Sequence, residues 1–255
     1  MLLSVITVSW ENNPGLQKTW QSLSYLEKIQ DLAFEWIVVD GGSQDGTVEF
    51  LESCEGKYNL RYISERDAGV YDAMNKGVEM ASGQYVLFLN SGDCFHSEIA
   101  TFIQQLAVQS TQEKEIYIGD AVLDFGNGVK KMRSAKPGWY IYHSLPASHQ
   151  SIFYPRAGLV NYPYELQYKI SADYALTARM FKCGYNFKHL NGVVSEFAMG
   201  GMSTVNNKQL CIDVKNAQLN IMKLPKVMVF LSYWLRVINT SRAKKLYNHS
   251  QSAVT

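Results

Sequence analysis

QYVLFLNSGD, residues 84–93, is the stretch that decides the fold class, because it joins a buried strand to an acidic turn. Its first six residues are almost wholly apolar and favour β structure, which predicts a strand covered on both faces. The turn-forming residues Asn90, Ser91, Gly92 and Asp93 follow at once. A carboxylate in that place is either solvated at the edge of a sheet or takes part in chemistry.

Strand and helix signals alternate through the first half of the chain. Strands are predicted at residues 2–9, 35–39 and 61–64, and helices at residues 14–25, 46–53 and 70–81. We expect Gly83 to close the last of these helices. Such β–α–β repeats predict an α/β fold with a mixed, mainly parallel sheet flanked by helices. Ligands of such sheets bind beyond the carboxyl ends of the strands, and Ser9, Asp40 and Asp93 all follow predicted strand ends.

The second half of the chain is less regular. Strands are predicted at residues 116–125, 151–154 and 185–190, and a helix at residues 173–183. Gly184 is placed to end that helix. The segment 132–150 is irregular and rich in aromatic residues, and it includes His143 and His149. We interpret it as a functional loop.

Charge divides the chain near residue 213. The first 213 residues carry a net charge of −6, whereas the rest contain seven Lys or Arg and no Asp or Glu. We therefore assign residues 1–213 to one domain, with a nucleotide-binding half at 1–95 and an acceptor-side half at 96–213. Residues 214–255 form a basic, amphipathic tail, which favours a membrane surface or an acidic partner. No nucleic acid partner is expected.

Cysteine usage and hydropathy indicate the compartment. The four cysteines are far apart and show no metal-binding spacing, as in ordinary cytosolic proteins. The N-terminus lacks the basic segment of a signal peptide, and no apolar run has the length needed to span a bilayer. We therefore expect a cytoplasmic protein, peripheral at the inner face of a bacterial inner membrane if the tail binds lipid.

Two motifs carry candidate chemistry. VVDGGSQDGT, residues 38–47, places Asp40 at a strand end, where it can accept hydrogen bonds from a nucleobase or a ribose. The alternative is a turn in which Ser43 or Asp45 caps the next helix. Asp93 can bind a hard cation that neutralises a diphosphate, although the same sequence also suits a simple turn. Neither GxGxxG nor GxxxxGK[ST] is present as a competing phosphate motif.

Five segments together carry a resemblance to a known family. They are SVITVSW, EWIVVDGGSQDGT, SERDAGVYDAMNKGVEMASGQYVLFLNSGD, ASHQSIFY and ISADYALTARMFKCGYNF. In this order they resemble the family-2 glycosyltransferases of GT-A fold, over roughly residues 1–205. KPGWYIYHSLPASHQSIFYP is similar to the colanic acid biosynthesis glycosyltransferases of exopolysaccharide clusters. The resemblance implies a Rossmann-like domain that binds a nucleotide-diphospho-sugar.

The resemblance also implies roles for single residues. Asp173 matches the catalytic base, although a charge favoured by the helix dipole is an alternative. Asp93 matches the ligand of Mn²⁺ or Mg²⁺, but the motif here has one acid where many relatives have two. His149 and Gln150 would face the diphosphate or the acceptor, and Glu196 and residues 199–203 resemble a loop that closes over the donor. The implied donor-binding residues are Thr7, Ser9, Asp40, Asp72, Asn75 and Ser91, with helix capping and packing as the alternative for Asp72 and Asn75.

The function expected from the resemblance is inverting, metal-dependent glycosyl transfer. A UDP- or GDP-sugar would donate to a lipid-linked oligosaccharide in exopolysaccharide (colanic acid-like) or O-antigen biosynthesis. Residues 224–247 would lie on anionic lipid or pack on the domain, and both interpretations remain open. A sugar nucleotidyltransferase is one competing function, but SWENNPG lacks the Gly-rich loop with Arg and Lys that it needs. A non-catalytic module that binds carbohydrate or nucleotide is the other.

Overall fold

The computed structural model describes residues 2–109, 113–126, 128–200 and 207–252, with only the helical backbone for the last ten. Nine strands in the described part form one mixed sheet in the order β3-β2-β1-β4-β8-β6-β9-β5, with β7 paired to β6. The strands are β1 Leu3–Ser9, β2 Phe34–Asp40, β3 Arg61–Ser64, β4 Tyr85–Phe88, β5 Cys94–Phe95, β6 Glu115–Asp124, β7 Lys130–Arg133, β8 Ile152–Pro155 and β9 Asn186–Ala198. The first four pair in parallel, and β6 and β9 also run parallel. This confirms the predicted α/β class.

Helices cover both faces of the sheet. They are α1 Asn13–Ser22, α2 Ser24–Glu27, α3 Thr47–Ser53, α4 Val70–Met80, α5 Ile99–Gln109, α6 Arg156–Asn161, α7 Ala172–Lys182, α8 Asn207–Asn220 and α9 Lys226–Ser252. Two 3₁₀ turns, Gly138–Tyr142 and His149–Ser151, interrupt the segment that was predicted to be irregular.

Alternating side chains of each buried strand supply two separate cores. In β1, Leu3 and Val5 face the core that α1, α2, α3 and α5 cover, while Ile6 and Val8 face the core under α4, α6 and α7. Strand geometry requires this, because successive side chains point to opposite faces. Full burial of each such side chain contributes about 1.5–3 kcal/mol. The two cores therefore fix the sheet in place. They also fix the edge at the carboxyl ends of β1, β2 and β4, which we call the strand-end rim.

Two element boundaries differ from the prediction. The helix expected at 14–25 divides at Leu23 into α1 and α2, and the strand expected at 185–190 continues to Ala198 as β9. β9 is longer because it pairs with β6 along its length and then with β5. The expected domain boundary after residue 213 lies within α8, where Asp213 and Gln218 both contact earlier parts of the chain.

Gly83 does not close α4, which corrects its predicted role. The helix ends at Ala81 in an extended conformation, and the N–H of Gly83 donates to Ser4 Oγ at 2.8 Å. A Cβ at residue 83 would lie 2.6 Å from the backbone nitrogen of Ser4 and 2.8 Å from the carbonyl carbon of Leu3. Glycine is needed here because β1 and the 82–84 segment approach each other backbone to backbone.

We expect Gly83→Ala to lower the free energy of unfolding by about 1–3 kcal/mol, since the backbone of β1 must shift to admit the methyl group. Urea unfolding measures the change, and Gly56→Ala is the control. Gly56 has φ +79 with open space around it, so its replacement costs only the left-handed backbone strain. The control shows the cost of backbone strain without a contact, and an unchanged free energy of unfolding in Gly83→Ala would show that β1 admits the methyl group.

Candidate active site

The loop after β2 is folded around Asp40. Its carboxylate is fully buried and accepts hydrogen bonds from the backbone of Gly42 and Ser43 at 3.1 and 2.8 Å. The hydroxyls of Ser43 and Ser64 donate to it at 2.5 and 2.6 Å. Asp45 rather than Ser43 accepts from Thr47 at the start of α3. Asp40 thus lies at the predicted rim, but its oxygens are used to shape the loop.

An unsatisfied hydroxyl and an exposed ring lie beside that loop. Ser9 is paired with Asp40 across β1 and β2, and its buried Oγ has no hydrogen-bond partner among the residues that the structure describes. Trp10 comes next and is 71% exposed. A Cβ on Gly41 would lie 3.2 Å from the Trp10 ring and 3.1 Å from Asp67 Oδ2. The rim therefore offers a polar group, an aromatic face and a carboxylate around a glycine.

The turn at residues 90–93 is fastened to the chain segment that follows β1. Asn12 Nδ2 donates to the Ser91 hydroxyl at 3.1 Å, and that hydroxyl donates to the Asn12 carbonyl at 3.0 Å. Thr19 Oγ1 donates to the Asp93 carbonyl at 2.7 Å and accepts from the Gly92 N–H. Ser91 thereby braces the turn, and its contact with the donor stays a prediction.

Asp93 is a carboxylate in a nearly dry setting. Its side chain is 8% exposed, and Gln150 Nε2 donates to Oδ2 at 3.0 Å. Burial raises the pKa of Asp93 to about 7, against the opposing effects of the Gln150 hydrogen bond and the Lys18 charge. The structure thus brings together Asp93 and Gln150, two predicted site residues that are 57 positions apart in the sequence.

The donor atoms around Asp93 fit a hard divalent cation in part. Asn90 Oδ1 is buried in the same turn and finds no hydrogen-bond partner in the described part of the chain, so the turn holds a carboxylate and an unsatisfied amide oxygen. Within the described residues, no three His, Cys, Asp or Glu side chains form a metal cluster. Mg²⁺ commonly takes only one or two protein carboxylates and completes its shell with phosphate and water. The set suits such shared coordination rather than a cage of protein ligands.

Asp173 is the second carboxylate with an altered pKa. It lies in the first turn of α7, and burial raises its pKa to about 6. The Tyr174 N–H, which donates to Asp173 Oδ1 at 2.8 Å, and the Arg133 charge oppose this effect. A carboxylate with a pKa near the working pH is suited to accept a proton from a hydroxyl group.

The start of α7 is positioned by a residue that sequence reasoning missed. Among the described residues, the Ser171 side chain makes no cap hydrogen bond, and Asp213 of α8 accepts from the N–H groups of Ile170 and Ser171, just before the helix, at 2.7 and 3.3 Å. Gln209 donates to the other oxygen of Asp213 at 2.7 Å. Nothing local in the sequence signals this, because the accepting carboxylate comes from a helix about 40 residues later.

His149 belongs to an aromatic cluster. Its ring stacks on Phe88 with centroids 5.2 Å apart, and Nε2 lies 2.9 Å from the Tyr164 hydroxyl. Burial lowers the pKa of His149 to about 4, so the ring is neutral near pH 7. Asn75 uses both ends of its amide on the backbone of Tyr164, at 2.9 and 3.0 Å. Asn75 therefore holds the cluster in place, in agreement with the packing alternative, and its contact with the donor stays a prediction.

Three further predicted site residues, Thr7, Asp72 and Glu196, make contacts within the protein. Thr7 is fully buried, and its Oγ1 accepts from the Trp36 indole at 2.9 Å, while its contact with the donor stays a prediction. Asp72 accepts from the Ala68 N–H at 3.0 Å, in agreement with the capping alternative. Glu196 lies opposite Cys94 and forms an ion pair with Lys130. Residues 201–203 of the predicted closing loop lie outside the described residues.

Comparison with known proteins now identifies the family. The model of glycosyl transferase family 2 matches residues 4–181, which include both carboxylates with raised pKa. The chain belongs to this family. A PGL/p-HBAD biosynthesis glycosyltransferase of Mycobacterium tuberculosis is 29% identical over 226 residues, or 81% of each chain. An uncharacterized glycosyltransferase of the same species is 44% identical over 96 residues, 36% of this chain and 34% of the relative.

Solved structures of glycosyltransferases share the architecture. S. aureus TarS 1–349 in complex with UDP-GlcNAc aligns with a TM-score of 0.66 at 18% identity, over 91% of this chain and 70% of that one. The mannosyltransferase PcManGT from Pyrobaculum calidifontis, in complex with GDP-Man and Mn²⁺, aligns at 0.62 and 12%, over 98% and 74%. At these identities the likeness concerns the fold alone. It confirms the GT-A fold predicted for this family-2 glycosyltransferase.

Proposed function

We propose that this family-2 glycosyltransferase inverts the anomeric carbon of a UDP- or GDP-sugar by direct transfer to an acceptor hydroxyl. The observation that carries the proposal is the pair of carboxylates with raised pKa, Asp93 at about 7 and Asp173 at about 6. In the His149–Ser151 turn, Gln150 contacts Asp93 and His149 contacts Tyr164, a tyrosine whose pKa is raised by burial and further by the Asp173 charge. Two carboxylates in separate settings can take separate roles.

Asp173 is the base in this proposal. It takes the proton of the acceptor hydroxyl as that oxygen attacks the anomeric carbon and the bond to the diphosphate breaks. Arg133 favours the ionised form that accepts the proton, while burial keeps the basicity higher than that of a solvated Asp. Asp213 fixes the turn from which Asp173 projects.

Asp93 and Asn90 would hold Mn²⁺ or Mg²⁺ together with the donor diphosphate. When bound, the cation supplies positive charge to the diphosphate leaving group. The protein's part is to present the ionised Asp93 carboxylate in the orientation that the Gln150 amide and the braced turn impose. With a single acid in the turn, the cation would bind weakly until the diphosphate arrives.

Trp10 is proposed to stack on the nucleobase, because its exposed ring flanks Gly41 at the strand-end rim. We expect Trp10→Ala to raise the dissociation constant of the nucleotide sugar about 5- to 150-fold, as stacking on an aromatic side chain is worth about 1–3 kcal/mol. Calorimetric titration measures the change. Trp139→Ala is the matched control, since Trp139 is 66% exposed on a different segment. Equal binding by Trp10→Ala and the wild type would exclude the stacking role.

The acceptor is proposed to be a lipid-linked oligosaccharide in exopolysaccharide or O-antigen biosynthesis. Residues 136–155 support a colanic acid-like pathway through their resemblance to that subgroup. A relative is named for PGL/p-HBAD biosynthesis, so molecules of that biosynthesis are a second candidate class of acceptor. The neighbours in complex with UDP-GlcNAc and GDP-Man support a nucleotide-sugar donor.

Thermal shift of the purified protein against UDP- and GDP-sugars, with and without Mn²⁺, tests the proposal. A donor at a hundredfold excess over its dissociation constant should stabilise the protein by about 2.7 kcal/mol. We expect one nucleotide class to raise the melting temperature, and to raise it further with Mn²⁺. Absence of a shift with every donor, from a cooperatively unfolding protein, would contradict the proposed donor site.

A further inference from the structure

α9 carries a broad apolar surface that the rest of the described chain does not cover. Phe230 and Trp234 are 62% and 51% exposed, and their rings contact each other with centroids 6.3 Å apart. The stripe continues for about 16 Å along the helix axis. We call it the α9 apolar face, and it consists of Val227, Met228, Phe230, Leu231, Trp234, Leu235 and Ile238. Exposed apolar patches of this extent mark interaction sites.

The opposite side of α9 is fixed to the domain. Val229, Ser232 and Arg236 are buried, at a spacing of three and four residues that defines one side of a helix. Ser232 Oγ lies 2.8 Å from His143 Nδ1 and accepts from Gln218 Nε2 at 2.8 Å. Arg236 donates to the His143 carbonyl. The helix therefore cannot turn its apolar face inward without breaking these buried contacts.

The surrounding charge favours an anionic lipid surface over a protein. Lys223 and Lys226 are exposed at the start of α9, and Arg242 is exposed beyond its apolar face. No acidic residue occurs after Asp213, so the charged residues of α9 and of the segment just before it are all cationic. A second copy seated face to face would bring two such sets of cations together in a symmetric contact. Aromatic and aliphatic residues bordered by Lys and Arg are instead typical of helices that lie in a bilayer interface.

We propose that the α9 apolar face seats the enzyme on the surface of an anionic bilayer, with α9 lying in the interface plane. No helix in the described part of the chain is long and apolar enough to cross a bilayer. The seat is connected directly to the catalytic domain, because Ser232 and Arg236 of α9 hold His143, from which the chain runs on to the 3₁₀ turn containing His149 and Gln150. Its consequence for catalysis, access to a lipid-linked acceptor, rests on the proposed function.

Co-sedimentation of the full chain with vesicles tests whether the α9 apolar face binds a bilayer. Vesicles of phosphatidylcholine with about one-third phosphatidylglycerol should bind the wild type at least tenfold more tightly than pure phosphatidylcholine, since each surface cation contributes about fivefold. The double variant Phe230→Ser/Trp234→Ser should bind at least tenfold more weakly, because loss of one buried ring alone costs about that factor. The matched control is Val108→Ser/Val160→Ser, which changes two exposed apolar residues elsewhere and should bind as the wild type does.

Lys223→Gln/Lys226→Gln should reduce the preference for the anionic vesicles while leaving weak binding to both. Equal binding of the Phe230→Ser/Trp234→Ser variant and the wild type would overturn the proposal. So would a concentration-dependent dimer in analytical ultracentrifugation that the same variant abolishes, with no vesicle binding, since the face would then cover a second copy. Donor-induced thermal shift, measured on every variant, separates this result from the proposed function: an intact shift with lost vesicle binding supports both.

Discussion

Asp173→Asn is expected to lower the rate of sugar transfer by about 10³-fold while nucleotide-sugar binding stays unchanged. The amide occupies the same volume but cannot accept the proton of the attacking hydroxyl. Donor binding is maintained because Asp173 lies at the start of α7, apart from the strand-end rim that contains Ser9 and Trp10. Initial rates at saturating donor measure the loss, and thermal shift with donor confirms an intact site.

The pH dependence of kcat is a second test of the role of Asp173. A base acts in its ionised form, so kcat of the wild type should fall as the pH falls through the pKa of Asp173, about 6. Asp31→Asn is the control, because Asp31 is an exposed turn residue with φ 60, a conformation that Asn tolerates. Full transfer activity in Asp173→Asn would remove this residue from the chemistry.

Asp93→Asn is expected to abolish the Mn²⁺-dependent part of donor binding and to reduce transfer by about 10²-fold or more. A neutral amide in place of the carboxylate leaves the turn with no charged ligand. The wild type should show a related pH dependence: between about pH 8 and pH 6, the ionised fraction of a group with pKa near 7 falls about tenfold. Mn²⁺-dependent donor affinity should fall with it, which titration at several pH values measures.

The same substitution should stabilise the metal-free protein. The folded-state pKa of Asp93 is raised from 3.8 to about 7, so the native state binds a proton that the unfolded state has lost between those values. The wild-type free energy of unfolding therefore decreases as the pH rises from about 4 to about 7, by an upper bound of about 4 kcal/mol from this group. Asp93→Asn lacks the penalty and should melt at a higher temperature at about pH 8. Lower stability there would contradict the burial of an ionised Asp93.

Local signals predicted the sheet and the rim. The apolar runs at residues 2–9, 35–39 and 84–89 became β1, β2 and β4, because strands buried on both faces show as continuous apolar stretches. Ser9, Asp40 and Asp93 were placed at strand ends by counting along the chain. Parallel pairing then brings β1, β2 and β4 side by side, as β–α–β connections require.

Contacts between distant segments decided the roles of individual side chains. Thr7 and Asn75 carried the right residue types for donor binding, yet Trp36 and Tyr164 engage them in the folded chain. The raised pKa values of Asp93 and Asp173 also arise from tertiary burial, which the neighbouring residues in the sequence do not reveal. Trp10 gave no separate signal in the sequence, because its place beside Gly41 follows from the pairing of β1 with β2.

The sequence by itself therefore determined the fold class, the family and the strand-end rim, since periodicity and ordered motifs are properties of neighbouring residues. The tertiary structure alone decided which polar groups form hydrogen bonds within the protein and which are left to bind a ligand. It also resolved the C-terminal helix, where nearly every position from Val227 to Ile238 is apolar and the sequence favours no single buried side. Ser232 and Arg236 selected the packed side by bonding to His143, which left the α9 apolar face exposed.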